Sequence, residues 1–476
     1  MSTITAKFTE FVNASNYDVK THQVEGFKWC YNREKVSDDY GGGLLCDEMG
    51  LGKTLMMISC IKLNPQSNTL IVVPKSLISQ WKSKIKLLLK KTPFIFHGAA
   101  AKMFTSNYDI EEQKQQLSSK IFITTYGMLK TVIKEVRWSR VIYDEAHNMR
   151  TKTTKNFKNA LKLDAKIKWM VTGTPIQNSW SDVLNLCKLL KFPEGEGVLD
   201  KNADIEDQRE YIQSIMLVRT KKDLKIKMPK LKVDIVKVAP KAEERDLMTD
   251  IHSRIMCMKL KKFQLSYPVI NKLGTCHLTY LIRAKQVCSH PKMLEKCILK
   301  ESDERNDLIP DFNKISTSKL SKLVETVVSQ KKNIKKLVFY TYNIEMRFIK
   351  AKLESKGYNV AVVNGKTTSK NKANILESND YDVLLSQIKS GSDGLNLQQY
   401  GQVYFVSPHW NPAVEKQAIA RIFRIGQLAS KVNVFYFVST FDIKGQYSLD
   451  EYCMDIKRTK QEKIEYLFEK EQRSID

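Results

Sequence analysis

The stretch Gly41-Gly42-Gly43-Leu44-Leu45-Cys46-Asp47-Glu48-Met49-Gly50-Leu51-Gly52-Lys53-Thr54 decides the fold. It reads as a strand closed by Leu44-Leu45, a loop with glycines at 50 and 52, and a helix opened by Lys53-Thr54. Backbone N–H groups in such a loop converge on phosphate oxygens, and the helix behind it presents its positive end. Lys53 is then placed to neutralise the β- and γ-phosphates of a nucleotide, and the Thr54 hydroxyl to ligate Mg2+. Asp47 departs from the general pattern, standing where its first glycine is expected. Taken alone, a G-x-G-K-T string in a basic chain is also compatible with an ordinary turn.

Further along, Val141-Ile142-Tyr143-Asp144-Glu145-Ala146-His147 is a short apolar strand that ends in two adjacent carboxylates. Doubly wound sheets place ligands at strand ends. There Asp144 can hold Mg2+ through a water, and Glu145 can orient and deprotonate the attacking water. Other apolar runs share the grammar: Leu70 to Val73, Ile121 to Thr124 and Trp169 to Thr172, with helical character between them, as from Ser76 to Leu89. A second set follows at Leu337 to Tyr340, Val360 to Val363, Val383 to Leu385, Val403 to Val406 and Val432 to Phe437. Strands alternating with helices predict α/β lobes, each a parallel sheet covered on both faces. Between roughly 180 and 320 the strand grammar is lost, predicting helical insertions and a linker that contains the basic run Arg219 to Lys232. Asp450 to Glu471 reads as one charged amphipathic helix.

The 476 residues carry 78 Lys+Arg against 52 Asp+Glu, a formal charge of +26. That balance points to a polyanionic partner, nucleic acid being the commonest, although a lysine-rich proteome would give it too. Nine cysteines occur without a C-x-x-C pair, which excludes a zinc ribbon or RING and suits a reducing compartment. No window approaches the ~18 apolar residues of a membrane span, and the start lacks a signal-peptide core. The expectation is a soluble, intracellular protein with no membrane partner.

Together D-E-M-G-L-G-K-T and D-E-A-H resemble helicase superfamily two, and specifically its Swi/Snf-type ATPases. The resemblance runs in order along nearly the whole chain. It implies nucleotide contacts from Asp47, Glu48, Met49, Gly50, Leu51, Gly52, Lys53 and Thr54, with Gln23, in Thr21 to Trp29, reading the adenine. Leu70 to Trp81, with Lys75, and Ile123 to Gly127, with Thr125, resemble motifs that touch the nucleic-acid backbone. Thr172-Gly173-Thr174-Pro175-Ile176-Gln177-Asn178 resembles the segment that couples hydrolysis to lobe movement, so His147, Thr172, Gly173 and Thr174 are the implied coupling residues.

In the second lobe, Trp410-Asn411-Pro412 followed by Gln417-Ala418-Ile419-Ala420-Arg421-Ile422-Phe423-Arg424-Ile425-Gly426-Gln427 is the most specific string. Arg421 and Arg424 are three apart, so on a helix they face the same way. Two guanidiniums beside a γ-phosphate would stabilise the charge of the transferring group, and only when the lobes close. Gln417 and Gly394 are further implied nucleotide contacts. Around Lys389 to Leu397 the family usually has two consecutive glycines, the second of which is here Ser392, and Gln387 stands for a usual serine. That loop is expected to touch both ATP and DNA, through Lys389 for the latter. Gly365 and Lys366 resemble another backbone-contacting turn. Cys288 and His290 fall in a C-x-H-P element; two residues cannot close a tetrahedral metal site, so a structural role is expected.

The resemblance implies two RecA-like parallel-sheet lobes with helical insertions, divided as 1–190, 191–320 (insertions and linker), 321–445 and 446–476 (a charged helix). It implies ATP in the cleft, Mg2+ held by Thr54 and Asp144, and a double-stranded DNA translocase that remodels protein–DNA complexes in transcription or chromatin regulation. Nucleosomes or RNA polymerase are the implied cargo, and the nucleus, a host's if the protein is viral, the implied location. Ser407 to Pro412 leans towards the branch linked to DNA repair and transcription termination. The compact length resembles a minimal viral version, of the global-transactivator type of large insect DNA viruses. A strand-separating DNA or RNA helicase is the first rival, opposed by the W-N-P and R-I-G-Q strings. A DNA-binding regulator with a dispensable ATPase is the second, opposed by the intact Lys53, Asp144, Glu145, Arg421 and Arg424.

Overall fold

Runs such as Leu70-Ile71-Val72-Val73 have no polar face, so they are satisfied only in strands covered on both sides. The computed structural model describes residues 2–15, 17–98, 120–132, 138–177, 179–200, 202–255, 277–302, 309–378, 380–388, 397–427, 429–441 and 447–468. It divides into two units, Met1–Lys227 and Met228–Asp476.

In the first unit the described strands are β1 (Gly41–Leu45), β2 (Asn68–Val73), β3 (Phe94–Phe96), β4 (Lys120–Thr125), β5 (Trp138–Asp144), β6 (Ala165–Val171) and β7 (Met216–Leu217). They form one sheet in the order β3-β4-β2-β5-β6-β1-β7. Every described pairing is parallel. Helices Thr21–Arg33, Lys53–Leu63 and Ile78–Leu89 supply Phe27, Met57, Trp81 and Ile85 to a core shared with Ile71 and Ile142 of the sheet. Register decides which loops meet. Leu45 of β1 pairs with Val171 of β6, and Val171 with Asp144 of β5. The loops after β1, β6 and β5 therefore emerge side by side.

The second unit repeats the plan with β8 (Lys230–Val238), β9 (Lys336–Tyr340), β10 (Val360–Val363), β11 (Val383–Gln387), β12 (Gln402–Phe405) and β13 (Lys431–Ser439). Their order is β10-β11-β9-β12-β13-β8, again with parallel pairings. Both sheet faces are covered, one around Leu337, Leu384 and Val434, the other around Val338, Leu385 and Leu323. A helical cluster around Ile251, Val287 and Ile298 packs apart from the sheet faces. The molecule is thus two RecA-like parallel-sheet lobes with helical insertions.

The stretch from 180 to 320 is not free of strands: β7 and β8 lie in it. β8 is the sheet's edge strand, and in Lys230-Leu231-Lys232-Val233-Asp234-Ile235 charged and apolar residues alternate with most of the strand exposed. Such a strand lacks the continuous apolar run by which buried strands are read. Asp450 to Glu471 is helical from Leu449 to Phe468, beyond which no residue is described. Among the described residues no helix is long and apolar enough to cross a membrane.

Candidate functional site

The phosphate-type loop leaves β1 at Leu45 and ends at Gly52, where the helix Lys53–Leu63 begins. Gly52 has φ 95°, a left-handed conformation, and a Cβ there would lie 2.6 Å from Gln23 Nε2. The left-handed backbone therefore favours glycine, and Gln23 sits over the loop's end. Gly52 brings no capping side chain, so the first N–H groups of the helix remain available to an anion. Lys53 Nζ donates to the carbonyls of Asp47 at 2.5 Å and Glu48 at 3.3 Å. Burial lowers the Lys53 pKa, opposed by the charges of Glu145, Asp144 and Asp47. Met49 and Lys53 both approach Gly173, whose Cβ would lie 2.8 Å from Met49 Cγ and 3.4 Å from Lys53 Nζ. Leu51 is buried, and its carbonyl lies 3.2 Å from His22 Nε2.

Two strands across, Asp144 closes β5. Its Oδ2 accepts from Trp81 Nε1 at 2.7 Å and its Oδ1 from the Glu145 N–H at 3.1 Å. Burial first and the Glu145 charge second push the Asp144 pKa up to about 6. Glu145 itself is held at φ 54°, a left-handed conformation that costs a non-glycine residue about 1–2 kcal/mol. That bend turns its carboxylate back, so that Oε2 lies 3.4 Å from His147 Nδ1. His147 Nδ1 is also 3.1 Å from Thr172 Oγ1, which accepts the Thr174 N–H at 3.2 Å. Thr172 in turn donates its N–H to Leu45 O at 3.1 Å, which closes the path back to the loop after β1. Lys53, Asp144, Glu145, His147, Thr172, Gly173 and Thr174 are thus brought together.

The donor chemistry suits a hard divalent cation: the Asp144 carboxylate and the Thr54 hydroxyl on the helix's first turn are oxygen ligands. Mg2+ is ordinarily held by one or two carboxylates with phosphates and waters. No group of three potential metal ligands exists among the described residues, which that mode does not require.

Asp47 and Glu48 offer Lys53 their carbonyls but turn their side chains to the segment after β7. Arg219 takes the Asp47 carboxylate and Lys221 that of Glu48. Neither basic residue was singled out from the sequence except within the run Arg219 to Lys232. Asp47 in a glycine's place was the one local signal that a counter-charge was needed.

The residues expected to face nucleic acid lie at strand ends. Lys75 follows β2 and is exposed, whereas Thr125 at the end of β4 is buried with its hydroxyl 3.3 Å from His97 Nδ1. In the second unit Gly365 and Lys366 form an exposed turn after β10, in which Asn364 Oδ1 accepts the Lys366 N–H at 2.9 Å. Lys389 and Gly394, with the Ser392 loop, and Asn178 of the first unit lie outside the described residues.

The helix of the W-N-P string spans Pro412–Ala420, with Asn411 Oδ1 capping the Ala413 N–H at 3.0 Å and Pro412 at its first position. Gln417 is on this helix and half-buried. Arg421 and Arg424 do not share it, contrary to the helical spacing expected: Arg421 is its C-cap, and Arg424 lies in the turn beyond. Gly426, at φ 88°, ends that turn, and Gln427 Nε2 pins it to Ile422 O at 2.9 Å. Burial first and the Arg421 charge second hold Arg424 below its usual pKa. Cys288 lies buried, 3.7 Å from His252 Nε2, and burial pushes its thiol up to about 12.

Two parallel-sheet lobes, the first with a lysine-bearing phosphate loop beside a paired carboxylate motif, define a nucleotide-dependent helicase-like enzyme. The chain belongs to the SNF2-related family. Its residues 22–293 match the SNF2-related domain, and residues 318–426 match the helicase conserved C-terminal domain. It is 28% identical to a probable global transactivator of Orgyia pseudotsugata multicapsid polyhedrosis virus, over 85% of this chain and 83% of that one. It is 25% identical to the CHD3-type chromatin-remodeling factor CHR7 of Arabidopsis thaliana, over 92% of this chain but 36% of that one. The chain thus spans most of the viral relative and about a third of the plant one. Among solved structures, the SWI2/SNF2 ATPase core of Sulfolobus solfataricus in complex with dsDNA is similar, with 23% identity, 89% and 88% coverage and a TM-score of 0.41. The Swi/Snf-type family resemblance is borne out, and membership makes the protein an ATP-dependent enzyme of helicase superfamily two.

Proposed function

We propose that the protein is a DNA-dependent ATPase that moves along double-stranded DNA and remodels protein–DNA complexes. The observation that carries the reading is the convergence, at three adjacent strand ends, of Lys53, Asp144 and Glu145, with the His147–Thr172 contact tying the carboxylates to β6. Lys53 exchanges its two backbone carbonyls for phosphate oxygens when ATP binds. Glu145, aimed by its left-handed backbone and flanked by His147, orients the attacking water and takes its proton. Thr54 and Asp144 would hold Mg2+, which supplies charge neutralisation across the phosphates. Arg421 and Arg424 answer the charge that builds on the transferring group. Gly173, against both Met49 and Lys53, lets β6 sense whether the phosphate loop is filled.

The formal +26 and the exposed Lys75 and Lys366 support backbone-dominated, sequence-independent contact with DNA. The relatives' names, a transactivator and a chromatin-remodeling factor, support work in transcription or chromatin, and a nuclear location with nucleosomes or RNA polymerase as cargo is part of the same proposal. The test is ATP hydrolysis by the purified protein with double-stranded DNA, single-stranded DNA or RNA. Duplex DNA is expected to stimulate most, and Glu145→Gln to bind ATP yet turn over at least ~100-fold more slowly. Stimulation by RNA alone, or near-normal turnover in Glu145→Gln, would overturn the reading.

A further inference from the structure

Asp47 breaks the usual glycine pattern of the phosphate loop, and a residue 172 positions away answers it. Arg219 donates from Nε to Asp47 Oδ1 at 3.1 Å and from Nη2 to Oδ2 at 2.6 Å, a forked pair on a fully buried carboxylate. Lys221, two residues on, repeats the arrangement at Glu48: its Nζ donates to Glu48 Oε1 at 2.7 Å and its N–H to Oε2 at 2.7 Å. The two backbones also continue the β1–β7 pairing beyond the sheet. Cys46 donates its N–H to Leu217 O at 2.7 Å, and Glu48 to Arg219 O at 2.8 Å. Arg219 further approaches Glu25, at 3.6 Å, on the helix that carries Gln23. A Cβ on Gly26 of that helix would come within 2.5 Å of Arg219 Nη2, so the bare backbone at 26 leaves room for the guanidinium.

We propose that Arg219 and Lys221 are positioning residues for the nucleotide, clamping Asp47 and Glu48 so that the phosphate loop stays open and Lys53 stays aimed. The proposal rests on the reading of this loop as the ATP site. Its logic is geometric. Asp47 and Glu48 give their side chains to the clamp and their carbonyls to Lys53. Whatever moves those two residues moves the lysine. Without Arg219 the Asp47 carboxylate is buried with its fork partner gone, and the loop must shift to rehydrate it. The clamping segment is also the one that runs out of the first unit at Lys227. The chain that joins the units is therefore fastened to the phosphate loop.

The test uses the full chain, a fluorescent ATP analogue with Mg2+ for affinity, and steady-state hydrolysis for KM and kcat. Arg219→Lys keeps the charge but loses the fork. It is expected to weaken nucleotide affinity and raise KM by roughly tenfold, with kcat at saturating ATP within about threefold. Arg219→Gln is expected to weaken binding likewise, and adding Asp47→Asn to recover at least about fivefold of the loss, because the buried charge is removed with its partner. If Arg219→Gln does not fold, Lys221→Ala with and without Glu48→Gln at the more exposed prong gives the same comparison. Lys53→Ala serves as the control for the site. Binding within twofold of wild type in the clamp variants, or no recovery in the double variant, while Lys53→Ala is inactive, overturns the clamp alone. Normal turnover in Lys53→Ala overturns the ATP-site reading and the clamp with it.

Discussion

Two adjacent carboxylates sit in different surroundings. Asp144 is sequestered at the end of β5, its oxygens taken by Trp81 and by the Glu145 N–H, while Glu145 bends back towards His147. Burial and the neighbouring charge raise the Asp144 pKa to about 6, while the Trp81 hydrogen bond pulls it down. The raised acid holds its proton below about pH 6, so the carboxylate proposed to hold Mg2+ is lost as pH falls. The profile of kcat/KM against pH should therefore show an acid limb near 6, a value that belongs to the Asp144–Glu145 pair jointly. Trp81→Phe removes a donor to the charged form and should move that limb to higher pH. A limb unmoved by Trp81→Phe would assign it to another group. The same shift has a thermodynamic sign: because the folded state holds this proton more tightly than the unfolded one, it lowers stability as pH rises from about 4 to about 6.

At the scale of elements, the helix Leu449–Phe468 reads in sequence as charged and amphipathic, and its second residue, itself charged, is fully buried. Asp450 accepts from Lys285 Nζ at 3.0 Å and Lys319 Nζ at 2.6 Å, and from the Ser439 N–H at 3.2 Å. Lys319 also donates to Ser407 Oγ and Lys285 to Pro408 O, so the helix start fixes the chain just before Trp410. Burial alone would raise the Asp450 pKa, but the two ammoniums reverse that and hold it below the usual carboxylate range. Its contribution is thus present above the unfolded pKa and is lost as pH falls through the folded one. Asp450→Ala leaves two buried ammoniums without their carboxylate and should cost about 3–5 kcal/mol. Urea unfolding at pH 7 measures this, and a loss below about 1 kcal/mol would mean that the lysines find water instead. Nothing local in the sequence marks Asp450 or Arg219, because their partners lie in distant segments; of the Arg219–Asp47 pair only Asp47 carries a local signal, by standing in a glycine's place. Apolar runs did mark β2, β4, β5 and β6 and, in the second unit, β9 to β13, since a buried parallel strand must be apolar on both faces. β3 and β7 are too short to show a pattern, and β8 alternates because it is an edge. The site was legible where chemistry is local, as in Gly52-Lys53-Thr54 and Asp144-Glu145. Arg424 left the expected helix because that helix stops at Ala420, and Gly426 shortly after it was the available stop signal.

At the scale of the whole molecule, the charge and the two lobes make one prediction that separates a translocase from a strand-separating helicase. If this chain of formal charge +26 holds DNA by its phosphates, as proposed, binding releases counterions and affinity falls steeply with salt. The proposed translocase would need the phosphate track but no exposed base, and so an intact duplex would suffice as its substrate. It should displace the third strand of a triplex when ATP is present and fail to do so in Lys53→Ala. A tailed duplex should remain paired under the same conditions, because tracking along a duplex does not itself part the strands. DNA-stimulated hydrolysis should fade between about 50 and 200 mM salt, with hydrolysis in the absence of DNA changing far less, since only the former depends on phosphate contacts. Strand-displacement gels and hydrolysis rates across a salt series measure both. Efficient unwinding of the tailed duplex would make the protein a helicase, and stimulation that ignores salt would remove the phosphate backbone as its track.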